Sequence, residues 1–272
     1  MLKALFFDLD GTLLNSSKRI PASAKNALRQ CRQKGIRIYF ATARSLRLDQ
    51  TLDWTDDEFS LFDGGIYCNG ACVQLGKDIS YSFIEPTVVR QALALAGLYE
   101  GVHLSLHMPQ EGYAFNFEID PSMNKSWGLY TARILPVADE AINSTIKILL
   151  FYQHLTDSVD RLPPTLIQQL HECCSRLANV YLTDEGRTIQ IAAKHAGKLA
   201  AIESFRHKQN LGKDEIAVFG DDVNDLEMIT AYPHSVAMGN AVQAVRSAAR
   251  YLTRSNDEDG VAFALTEIFH LI

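Results

Sequence analysis

The stretch Ala4-Leu5-Phe6-Phe7-Asp8-Leu9-Asp10-Gly11-Thr12 constrains this chain more than any other. Four consecutive apolar residues read as a strand buried on both faces, the pattern of a parallel sheet. Carboxylates at the end of such a strand are costly unless a metal or hydrogen bonds receive them. The carboxyl ends of strands are also where open α/β sheets place their ligands. Alternation puts Asp8 and Asp10 on one side of the strand's exit, and Gly11 permits a sharp turn just after them. On its own the stretch also fits a strand followed by an acidic turn, so the residues downstream decide.

Downstream, the spacing of Ala24, Ala27, Leu28 and Cys31 predicts a helix within Pro21 to Lys34, stopped near Gly35. Ile36 to Ala41 is a dense apolar strand followed by Thr42-Ala43-Arg44, which makes a strand–helix–strand unit and points to a parallel crossover. Ile66 to Cys68 is a candidate third strand, and Asn69-Gly70 a hairpin-type turn signal. After Pro86 the rhythm changes. Helices are expected over Val88 to Leu98 and Pro164 to Leu177. Strands are expected at Val102 to His107, Tyr113 to Phe117, Ile146 to Tyr152, Val180 to Thr183 and Thr188 to Ala192, with a polar, irregular stretch between the second and third. From Gly197 the parallel rhythm returns, with a helix from Lys198, a strand to Phe219, and then Gly220-Asp221-Asp222-Val223-Asn224-Asp225. The expected fold is therefore α/β: a Rossmann-like parallel-sheet core over 1–84 and 190–272, with an α+β domain inserted at 85–189.

Composition narrows the partners. With 26 Lys and Arg against 32 Asp and Glu, the net charge of −6 argues against a nucleic-acid or anionic-membrane partner. The apolar runs are too short to span a bilayer, and no signal-peptide pattern stands at the start. Five cysteines, two of them the adjacent Cys173-Cys174, do not suggest a disulfide framework, so a cytoplasmic protein with reduced thiols is expected. His103 and His107 would share a strand face, but without a third ligand nearby they read as packing residues.

Every acidic or hydroxyl-bearing cluster falls just after an expected strand, and together the clusters resemble the haloacid dehalogenase-like superfamily, specifically its Cof-type phosphatases with an α+β cap. Asp8-Leu9-Asp10-Gly11-Thr12 is similar to the first motif of that family and Ala41-Thr42-Ala43-Arg44 to the second. Lys198 is similar to the third-motif lysine and Gly220 to Asp225 to the fourth motif. Asn69-Gly70-Ala71, Ala237-Met238-Gly239-Asn240-Ala241 and Ser255 to Ala262 resemble further Cof-type segments. One departure stands out: Gly197 precedes the lysine where many relatives have glycine after it, and Lys194 is a second candidate.

The resemblance implies a phosphomonoester hydrolase acting on a small phosphorylated metabolite, sugar phosphates foremost, as a monomer or homodimer. Asp8 would be the nucleophile and Asp10 the acid and base. Mg2+ would be held by Asp8, by the Asp10 carbonyl and by Asp221. Leu9, Thr42, Ala43, Lys198 and Asn224 would contact the phosphoryl group, and Asp225 would orient the metal's waters or Lys198. Each has a plain alternative: Thr42 and Asn224 as helix caps, Lys198 as a solvated lysine, and Asp222 in place of Asp221. Other readings of the whole chain are a phosphosugar mutase of the same fold or a non-catalytic phosphometabolite sensor. If Lys198 is the motif lysine, Lys198→Ala abolishes phosphate release while Lys194→Ala leaves it intact; the reverse result would move the assignment to Lys194.

Overall fold

The computed structural model describes residues 1–121, 123–152 and 161–272. Strand β1 (Ala4–Phe7) has all four side chains buried, as its unbroken apolar run requires. The helix Ala22–Gln33 follows, burying Ala24, Ala27, Leu28 and Cys31, one apolar stripe at helical spacing. It ends at Lys34, and the Gly35 and Ile36 amides donate back to the Arg32 and Cys31 carbonyls. The chain then enters β2 (Arg37–Ala41), β3 (Gly64–Tyr67), β4 (Cys72–Leu75) and β5 (Asp78–Tyr81).

The next six strands are β6 (Val102–Met108), β7 (Gly112–Phe115), β8 (Arg133–Leu135), β9 (Lys147–Tyr152), β10 (Ala178–Thr183) and β11 (Thr188–Ala193). They form a separate sheet in the order β10-β11-β9-β6-β7-β8, antiparallel except where β7 pairs β8. The chain then returns through the helix Lys198–Lys208 to β12 (Ile216–Gly220), β13 (His234–Ala237) and β14 (Tyr251–Leu252). These join the first five strands in one sheet of order β14-β13-β12-β1-β2-β3-β4-β5. From β14 through β3 it is parallel; β3 and β4 run antiparallel. An α/β fold, with a mainly parallel core sheet and an inserted second sheet, is therefore what the chain adopts.

Two compact units result. One comprises Met1–Ala43, Leu52–Ile79 and Lys198–Ile272; the other Arg44–Thr51 and Ser80–Gly197. The second unit reaches beyond 85–189 at both ends. Its β11 pairs with β9 and β10, which carries residues 190–193 into the inserted sheet. It also takes in residues 44–51, whose Arg47 guanidinium donates to Glu111 and Thr131. The stretch read as irregular contains β8 and the helices Met123–Trp127 and Asp139–Asn143. The helix expected to reach Leu177 stops at Cys174.

Register is what makes the core useful. Phe7 lies opposite both Phe219 and Phe40, so Asp8, Gly220 and Ala41 stand level at one edge. Beneath them Phe7 stacks on Phe219 at 4.5 Å between ring centroids, and Phe6 stacks on Tyr39 at 4.9 Å with Phe205 edge-on at 5.4 Å. A Cβ on Gly65 would lie 2.2 Å from the Phe40 ring, so this part of β3 tolerates no side chain. In the inserted sheet, Leu104, Leu106, Ile148, Leu150, Ile189 and Ile191 are fully buried, as are Leu166 and Leu170 of the helix Pro164–Cys174. Phe6→Ala should cost about 3–5 kcal/mol of stability by urea unfolding, because it empties space between two rings. A loss under about 1 kcal/mol would mean the core collapses around the gap.

Candidate active site

Asp8 leaves β1 with its amide donating to the Phe219 carbonyl at 3.0 Å, one further rung of the parallel ladder. The chain then turns. The Leu9 carbonyl accepts from the Thr12 and Leu14 amides, and the Asp8 carbonyl from Leu13. Gly11 sits at φ +80°, and a Cβ there would fall 2.2 Å from an Asp221 carboxylate oxygen, so the turn requires glycine both for its torsion and for its space. Thr12 donates its hydroxyl to Asp221 Oδ1 at 2.7 Å. That contact separates Asp221 from its neighbour: Asp222 instead caps the turn Val223–Asp225 by accepting from the Val223 amide.

Lys198 opens the helix Lys198–Lys208 and is buried, with Nζ 2.5 Å from Asp8 Oδ1 and 2.6 Å from Asp225 Oδ1. Lys194, by contrast, donates to the Ser175 carbonyl on an exposed part of the inserted unit. Asp225 has both oxygens occupied, since Oδ2 accepts from the Asp221 amide at 3.0 Å and from the Asp222 amide at 3.2 Å. Thr42 is buried at the end of β2, its amide donating to Ile66 and its carbonyl accepting from Asn69. Asn224 donates to Asn69 Oδ1 at 3.0 Å. Asp10 is ion-paired with Lys18 at 2.7 Å. Of the residues singled out in the sequence, Asp8, Lys198, Asp221 and Asp225 are thus interlinked, Thr42 and Asn224 share Asn69, and Leu9 closes the turn that carries Asp10. Asn69 and Lys18 escaped the sequence reading as site residues. Asn69 lay in a turn signal, and Lys18 in a loop with no periodicity.

The electrostatics follow from burial. Desolvation raises the Asp8 carboxyl well above the usual carboxylate range; Lys198 pulls it down, and Asp225 and Asp221 push it up again. Burial, with Asp225 beside it, pushes Asp221 up to about 7 against the Thr12 hydrogen bond. Burial would lower Lys198, but Asp225 and Asp8 outweigh it and hold the ammonium charged. Three carboxylates against one ammonium leave two negative charges when all are ionised, which is the charge of one divalent cation. Oxygens of Asp8, Asp221 and Asp225 all lie within 4.8 Å of one another. Hard oxygen ligands with excess negative charge fit a magnesium-type ion. Because both Asp225 oxygens are already hydrogen-bonded, that residue fits support of the site better than direct ligation.

A parallel core sheet whose strand ends gather a buried lysine and three carboxylates, interrupted by an inserted α+β domain, defines a class of hydrolase. The sequence model of the haloacid dehalogenase-like hydrolases matches residues 5–265. The chain belongs to that family, and within it to the capped, Cof-type phosphatases. The 5-amino-6-(5-phospho-D-ribitylamino)uracil phosphatase YwtE of Bacillus subtilis is 25% identical over 98% of both chains. The chloroplastic endoribonuclease YBEY of Arabidopsis thaliana is 24% identical over 96% of this chain, which spans only 45% of that longer protein. Among solved structures, one from a phosphoryl-transfer superfamily with a conserved trigonal-bipyramidal intermediate superposes with a TM-score of 0.80 over 100% of both chains, at 26% identity. Among the described residues no helix is long and apolar enough to cross a membrane.

The raised Asp221 carboxyl makes a signed prediction. Between its ordinary 3.8 and about 7, the folded protein holds a proton that the unfolded chain has released. Stability from this group is therefore greatest below that window and falls as pH rises through it. In EDTA, Asp221→Asn should gain in urea midpoint relative to the parent protein on going from about pH 4.5 to about pH 7.5. A difference that stays constant across that range would contradict the buried, proton-holding state.

Proposed function

We propose that the protein hydrolyses small phosphorylated metabolites, sugar and polyol phosphates foremost, in a magnesium-dependent reaction through an aspartyl-phosphate on Asp8. The observation that carries this reading is the buried Asp8 carboxylate held against Lys198 at 2.5 Å, with Asp221 and Asp225 beside it.

An Asp8 carboxylate oxygen attacks phosphorus while the bond from phosphorus to the ester oxygen breaks. Asp10 gives the departing alkoxide its proton. A water then attacks the phosphorus of the aspartyl-phosphate, losing its proton to Asp10. The bond to Asp8 breaks, which releases inorganic phosphate and restores both carboxyl groups. Lys198 places a fixed ammonium against the phosphoryl oxygens and the nucleophile. The Thr42 hydroxyl, the Ala43 amide, backbone N–H groups around Leu9 and Asp10, and the Asn224 side chain donate to the remaining oxygens. Asp225 keeps Lys198 in place and fixes the Asp221 backbone. Asp8, Asp221 and the Asp10 carbonyl would hold Mg2+, which when bound screens the charge between carboxylate and phosphate.

For the substrate, support comes from YwtE, whose named substrate carries its phosphate on a ribityl chain. A phosphorylated polyol end is common to that compound and to open-chain sugar phosphates. Comparing specificity constants across phosphorylated sugars, polyols and cofactors tests this; preference for a phosphorylated cofactor without such an end would exclude it.

Hydrolysis of 4-nitrophenyl phosphate should require Mg2+, disappear in EDTA, and fall to background in Asp8→Asn. Turnover without metal would overturn the magnesium requirement, and an Asp8→Asn variant that keeps turnover would remove Asp8 as nucleophile.

A further inference from the structure

Two asparagines that the reaction does not use directly lie against the turn that carries Asp10. Asn240 Nδ2 donates to the Gly11 carbonyl at 2.8 Å, and Asn256 Nδ2 to the Leu14 carbonyl at 2.8 Å. A third bond joins them, from the Asn256 amide to Asn240 Oδ1 at 3.0 Å. That bond fixes the orientation of the Asn240 amide: with its oxygen held by an N–H, its NH2 must face Gly11. We propose that Asn240 and Asn256 are positioning residues for Asp10, setting where its carboxyl meets the leaving group.

The need for such a brace is physical. Inside the turn, the Leu9 and Asp8 carbonyls take the amides of Thr12, Leu13 and Leu14, and Asp10 is bridged to Leu14. The Asp10 side chain is 35% exposed and pairs with Lys18, and the backbone of the turn sets where its carboxyl starts. The next residue is Gly11 at φ +80°, the softest torsion available to a chain. Asn240 follows β13 and Asn256 follows β14, so two neighbouring strands of the core sheet deliver donors to one turn. Asp257 extends the brace by accepting from the Ser16 amide at 2.8 Å and from its hydroxyl. Ser23 donates to Asp259 two residues further on. The Cof-like segments around Asn240 and Asn256 thereby gain a task at the site without touching substrate.

The inference rests on Asp10 being the proton donor, and the test separates the two. Donation by Asp10 matters more for phenyl phosphate than for 4-nitrophenyl phosphate, whose phenolate leaves with little help. The ratio of kcat/KM between these substrates does not depend on how much enzyme is folded, so a loss of stability alone cannot move it. Asp10→Asn should shift the ratio strongly towards 4-nitrophenyl phosphate. Asn240→Ala and Asn256→Ala should shift it about tenfold in the same direction, with kcat rather than KM changing for phenyl phosphate. The double variant should go no further than either single one, because the two amides act as one linked pair. If Asp10→Asn leaves the ratio unmoved, the proton-donor reading fails and this inference with it. If Asp10→Asn moves it and the asparagine variants keep the parent ratio, the positioning role is overturned while the reaction stands.

Discussion

The bond on which the rest of the core depends is the buried contact of Lys198 with Asp8 and Asp225. An ammonium taken out of water is tolerated only where carboxylates receive it, and a carboxylate at the end of a buried strand only where a cation or donors do. Neither side can be placed without the other. The sheet meets this demand by register: β1 and β12 end level, which brings Asp8 and the Gly220–Asp225 turn to one edge, and the helix that follows the inserted unit begins on the lysine. Losing Lys198 would leave buried carboxylates with no cation, and losing Asp225 would loosen both the lysine and the Asp221 turn.

The contacts close on themselves. Asp8 bonds Lys198, Lys198 bonds Asp225, Asp225 receives the Asp221 amide, and Asp221 receives the Thr12 hydroxyl four residues beyond Asp8. A closed ring of charged and hydrogen-bonded groups resists the loss of any one member more than isolated pairs would. Glycine enters this ring twice, at Gly11 beside Asp221 and at Gly220, where a Cβ would lie 2.6 Å from Asp225.

Much of this was legible in the sequence because dense apolar strands announce themselves and each chemical cluster directly follows one. Lys198 stood out from Lys194 because it starts a helical stripe, and the structure puts it beside Asp8. Spacing does not distinguish Asp221 from Asp222; in the structure they differ in that Asp221 meets Thr12 and the bare Gly11, contacts more than 200 positions away in sequence. Residues 44–51 show no periodicity that would assign them to the inserted unit. They belong to it through Arg47, which meets Glu111 and Thr131, and through Ser45, which shares a hydrogen with His107 Nδ1. His107 was read as a packing residue without metal-ligating company, and its other nitrogen is matched by the Ser105 hydroxyl at 3.0 Å. Burial, with Lys147 beside it, holds its pKa well below the usual histidine range, so it sits neutral between two serines.

The ring around Lys198 is deliberately short of positive charge, and that shortage links stability to chemistry. One ammonium cannot neutralise three carboxylates, and burial together with this crowding holds the Asp8 and Asp221 carboxyls above the usual carboxylate range. On the proposed mechanism, a proton on Asp8 disables it as a nucleophile. A divalent cation held there would relieve the same repulsion while leaving Asp8 ionised. On the proposed reading, the crowding that raises these carboxyls would also add to the affinity of a bound divalent cation.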